Sequence, residues 1–84
     1  MAREPLYCQV DMSATGSRIC ALRKSKGLTV RDVQQYMGFE NRMAIYKWER
    51  GMSVPSVRHL KVLSQIFGVP IDDILIWNSS PHES

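Results

Sequence analysis

Arg42, Tyr46 and Lys47 are the side chains of this 84-residue chain best placed to do chemistry, and that chemistry is recognition. Spaced i, i+4 and i+5, they share one side of a helix, while Ile45 and Trp48, three apart, take the opposite side. Two cations and a phenol on one face donate hydrogen bonds to an acceptor-rich surface. Nothing else in the sequence supplies a reaction. There is no Ser/His/Asp set, no glycine-rich phosphate loop and no carboxylate pair flanked by a base. Asp72 and Asp73 are adjacent at an expected helix start, where acids offset the helix dipole. His59 and His82 stand alone, and Cys8 and Cys20 lack metal-ligand spacing. No enzyme activity, cofactor or metal is therefore expected.

The residues that must position this face lie between 28 and 55, LTVRDVQQYMGFENRMAIYKWERGMSVP. The segment reads as a short helix, a glycine-centred turn, a second helix and a hard stop. Thr29 caps the first of these, with Asp32 three residues on as an acidic capping box, and Val30, Val33 and Met37 facing inward. Gly38 breaks it. The next helix is capped by Asn41, or less well by Glu40, and stops at Gly51. This is the layout of a helix-turn-helix, which holds its second helix outward so that it can enter the DNA major groove.

Further elements enclose the pair. A first helix starts near Ser13 or Thr15, buries Ile19 and Leu22, and ends at Lys26 and Gly27. Pro55 and Ser56 open a fourth helix whose inward stripe is Val57, Leu60, Leu63 and Phe67, with Gly68 as its stop. Pro70 opens a short fifth with Ile71, Ile74 and Leu75 inward. The expected fold is thus all-α, a compact five-helix bundle, with residues 1–12 as an N-terminal arm, 13–77 as the domain and 78–84 as a fraying polar tail. Alternation at residues 6–10 allows a short terminal strand.

Composition bounds the partners. The apolar share of 44% is ample for a core, and 84 residues make one domain. The net charge is +3, from 11 Lys and Arg against 8 Asp and Glu. Arg18, Arg23, Lys24, Lys26 and Arg31 precede or enter the motif, Arg42, Lys47 and Arg50 lie in its second helix, and Asp72, Asp73 and Glu83 lie near the far end. That asymmetry suits a nucleic-acid face on one side. Two cysteines are too few for a disulfide framework, and no apolar run reaches the roughly 18 residues of a membrane helix. A cytoplasmic protein without a membrane partner is expected.

The joint order of RICALRKSKGLT (residues 18–29), IYKWERG (45–51), the Pro55-Ser56 step and FGVPIDDIL (67–75) resembles the phage repressor and Cro helix-turn-helix family, the XRE type. The resemblance runs from about residue 16 to 75. It implies a lambda-repressor-like fold in which the helix at about residues 41–50 sits in the major groove, with Arg42, Met43, Tyr46 and Lys47 reading bases. A cation there donates to guanine O6 and N7, and Met43 or Tyr46 touches a thymine methyl. The phosphate-binding candidates are Thr29, Val30 and Arg31 at one helix start and Ser53, Ser56 and Arg58 around the next. The resemblance also implies an internal Arg23–Glu49 ion pair, whereas Trp48 and Cys20 read as core.

The chain departs from the family pattern at Val30, where glutamine is usual, at Gln34, where a small alanine is usual, and in a turn over residues 38–41 that is one residue longer. The longer turn shifts the register of the next helix, so Asn41 joins the base-reading candidates. The implied function is a sequence-specific, double-stranded DNA-binding bacterial or phage transcriptional regulator, acting as a homodimer on a palindromic operator. Ile74, Ile76, Trp77 and the arm at residues 6–10 are candidates for the dimer surface. The alternative is an antitoxin or adaptor whose main partner is a protein such as a toxin.

Overall fold

The computed structural model describes residues 6–81, and most of its elements begin and end where backbone groups find local partners. In chain order they are β1 (Leu6–Val10), α1 (Met12–Ser25), α2 (Val30–Met37), α3 (Met43–Glu49), α4 (Val57–Phe67), a 3-10 turn at Ile71–Asp73, and β2 (Trp77–Pro81). The caps of α2 and α4 are those the sequence predicts. Thr29 and Asp32 form a reciprocal capping box, and the Ser56 hydroxyl accepts the His59 amide. Gly38 closes α2 with φ at 73°, a conformation that costs any residue with a Cβ.

Three expectations are corrected. The first helix is capped by Asp11 rather than Ser13 or Thr15, with the Ala14 amide 2.9 Å from Asp11 Oδ1. Thr15 is instead buried, and its hydroxyl accepts the Ile76 amide at 2.9 Å. Val57 is exposed, because it opens α4 before the helix has turned onto the core, which takes Leu60, Leu63 and Phe67. Finally, the described residues hold four α-helices and not five. After Pro70 the chain makes one 3-10 turn, and Leu75 then leaves it toward the start of α1, where the Asp11 amide donates to the Ile76 carbonyl at 2.7 Å. A longer helix would carry Ile76 away from those partners.

Residues 78–81, expected to fray with the rest of the tail, continue instead as a strand from Trp77. β2 pairs antiparallel with β1, Leu6 opposite Pro81 and Val10 opposite Trp77, so the strands join within one chain. Residues 1–5 of the arm, and His82 and Glu83 in the tail, lie outside the described residues. The core is one cluster of Ile19, Val33, Ile45, Trp48, Leu60, Leu63, Phe67 and Ile74, drawn from all four helices and the turn after them. Burial of Ile74 removes it from the candidate dimer surface, while Trp77 is exposed. No helix among the described residues is long and apolar enough to cross a membrane.

Candidate nucleic-acid interface

α3 is only seven residues long, too short to be stable alone, so its position depends on what grips it. α1 supplies most of that grip. Gly16 is buried against the end of α3, and a Cβ there would run into the Trp48 and Glu49 carbonyl oxygens. Seven residues on, the Arg23 guanidinium donates to both Glu49 carboxylate oxygens, at 2.7 and 3.2 Å, and to the Leu28 carbonyl at 2.9 Å. Both side chains of this ion pair are about nine-tenths buried. The Glu49 hydrogen bond holds the guanidinium above its already high ordinary pKa, against the opposing effect of burial.

With Ile45 and Trp48 buried, the opposite side of α3 faces solvent. Arg42, Met43, Tyr46 and Lys47 are all exposed, Met43 by 58%. The Arg50 guanidinium stacks 5.7 Å from the Tyr46 ring centre, which orders the phenol along the helix surface. Arg42, Met43 and Tyr46 line an open groove of about 670 Å³ together with Asn41, Glu40 and, from α2, Arg31 and Gln34. Lys47 lies outside that lining.

The turn before α3 is pinned at two points. The Gln34 amide donates to the Phe39 carbonyl at 3.2 Å, and Asn41 Oδ1 accepts the Met43 amide at 2.9 Å. Asn41 thus satisfies an α3 amide as expected of a cap, although Arg42 occupies the boundary position and makes no side-chain cap. With its oxygen engaged, Asn41 has its NH2 group left to offer a ligand. Beneath the turn, Phe39 packs edge-on against His59, with ring centres 4.8 Å apart, and against Trp48 at 5.8 Å.

The phosphate-binding candidates separate into two places. At α2, Arg31 is exposed and the Val30 and Arg31 amides lie in the first turn, where no intrahelical acceptor is available. The Thr29 hydroxyl and amide are both engaged by Asp32, at 3.0 and 2.8 Å. The Thr29 backbone and hydroxyl donors hold the Asp32 carboxyl below its usual range, so a negative charge already occupies part of this helix start. Ser53, Ser56 and Arg58 lie outside the groove lining, along the connection into α4. Ser53 is half-buried, and the Ser56 hydroxyl is 3.0 Å from His59 Nδ1, which leaves exposed Arg58 as the freest of the three.

Sequence reasoning passed over Gly16, His59, the Gln34 brace and the place of Glu40 in the groove. Gln34 carried a signal, since a long amide stood where a small residue was expected. His59 carried a weaker one in its spacing from the Ser56 cap. Gly16 carried none, because its role exists only once α3 lies across it.

Comparison with known proteins agrees with this architecture. The helix-turn-helix family model HTH_3 matches residues 21–74. The chain is 39% identical over 54 residues to the HTH-type transcriptional activator BcrR of Enterococcus faecalis; the match takes in 64% of this chain and 26% of BcrR, so it spans about a quarter of that relative. Among solved structures, the restriction-modification controller protein C.AhdI from Aeromonas hydrophila superposes with a TM-score of 0.68 at 23% identity, over 76% of this chain and 96% of that one. The DNA-binding domain of BldD from S. venezulae superposes with a TM-score of 0.65 at 24% identity, over 79% and 97%. At such identities the structural likeness shows a shared fold, and the family model, which matches well over half of the sequence, shows the kinship. The chain belongs to the HTH_3 helix-turn-helix family.

Proposed function

We propose that this protein is a sequence-specific, double-stranded DNA-binding transcriptional regulator that places α3 in the major groove. The carrying observation is the two-sided build of α3. Arg42, Met43, Tyr46 and Lys47 project together from a helix whose other side is buried and ion-paired to α1. In this reading Arg42 and Lys47 donate to guanine O6 and N7, Met43 and Tyr46 meet thymine methyls, and the Asn41 amide group is within the same reading set. Arg31, with the Val30 amide and Thr29, receives phosphate at the start of α2. Arg58, with Ser53 and Ser56, does so near α4.

One such helix covers only a few base pairs, so the protein acts as a homodimer on a near-palindromic operator. The candidates left for the dimer surface are Ile76, the exposed Trp77 and the arm at residues 6–10. Selection of binding sites from a random duplex pool tests this reading. It should return paired half-sites about 10 base pairs apart, with affinity falling steeply as salt rises. Affinity that ignores salt would overturn DNA as the partner. A second reading, an antitoxin or adaptor that also grips a protein, draws on Trp77, which is 48% exposed on an ordered strand. Capture of a partner lost in Trp77→Ala, with DNA binding absent, would favour it.

A further inference from the structure

We infer that Glu40 is a specificity determinant that accepts a hydrogen bond from the exocyclic amino group of a cytosine in the major groove. The inference rests on the DNA-binding reading above and adds a base and an acceptor to it. Glu40 is exposed and makes no ion pair among the described residues, where the one such pair is Arg23–Glu49. It lines the groove with Arg31, Asn41, Arg42 and Tyr46, so a lone carboxylate stands among the cations proposed to meet a polyanion. Its two neighbours are each tethered by a hydrogen bond. The Phe39 carbonyl before it is held by Gln34, and Asn41 after it is held by the Met43 amide.

A carboxylate kept on a DNA-facing surface either repels phosphates or meets a donor. In the major groove the base donors are the amino groups of cytosine and adenine. Adenine sets the N7 acceptor beside its amino group, which suits an amide and opposes the second carboxylate oxygen. Cytosine offers the donor without that neighbour. The turn before α3 thereby supplies an acceptor beside the donors of α3.

Binding-site selection with the wild type, Glu40→Gln and Glu40→Ala tests this. The wild type should show one cytosine column in each half-site. Replacing that cytosine by thymine should weaken its binding roughly 5- to 150-fold and leave the variants little affected. Glu40→Ala should flatten the column, and Glu40→Gln should move it toward adenine, with the other columns unchanged. Identical preferences in all three proteins, with both variants binding every sequence more tightly, would show that Glu40 only repels phosphate and would overturn the inference while DNA recognition stands. A wild-type selection that enriches no sequence would overturn both.

Discussion

The two sides of α3 obey different rules. On the inner side, Gly16 of α1 lets the two helices approach closely, the Arg23–Glu49 pair satisfies buried charge, and Ile45 and Trp48 fill the shared core, so substitution there is constrained by the rest of the molecule. On the outer side, Arg42, Met43 and Lys47 are exposed, and Tyr46 is exposed at its edge beside Arg50, so their identities are free to follow a ligand. The eight residues 42–49 thus serve both stability and recognition, with the helical period keeping the tasks apart. The same separation implies that stability and binding can be perturbed independently.

The strongest way to break the comparison is Trp48→Ala. Loss of this 4%-exposed side chain should cost about 3–5 kcal/mol, a large share of the stability of a domain stable by on the order of 5–10 kcal/mol, and should lower the melting temperature sharply. A normal thermal transition in that variant would mean Trp48 is not core. Next, Glu49→Ala strands the Arg23 guanidinium, and chemical denaturation should register a loss of about 3 kcal/mol. On the outer side, Arg42→Ala or Lys47→Ala should leave the melting temperature within error of the wild type. Either should weaken operator binding by about 1–3 kcal/mol in a titration. If both bind as the wild type does, the recognition side is misassigned.

The smallest effect concerns pH. The Asp32 carboxyl is held below its ordinary range in the folded state, so its cap stabilises the fold at neutral pH. That contribution is full above the ordinary carboxylate range, wanes as the pH falls through that range, and is gone below the lowered value. Denaturation of Asp32→Asn alongside the wild type should show curves that differ near neutrality and converge in acid.

What was legible in the sequence was local. The capping box of α2, the Gly38 and Gly68 stops and the inward set of α4 beyond its first residue all follow from neighbours a turn away. Val57 misled because it sits three before Leu60, yet α4 has not turned onto the core at its first residue. The strand pair was only half visible. Alternation at residues 6–10 suggested a strand, but its partner is a polar stretch some seventy residues later, and no periodicity in WNSSP announces it. Gly16 and Glu40 were invisible for the same reason, since one answers to a distant helix and the other to a groove made by two elements. The recognition residues were partly legible, because an exposed face is the complement of a buried stripe.

The register of β1 against β2 has a mechanical consequence. Leu6 faces Pro81, so the two strands enter and leave the ribbon at the same edge. Tension applied through both flanks loads that outermost pair first and peels the ladder bond by bond, instead of shearing all its bonds together. The ribbon therefore offers little resistance to a pull, and a processive unfolding machine tugging from either flank would next meet the Asp11 amide and the Thr15 hydroxyl that together hold Ile76.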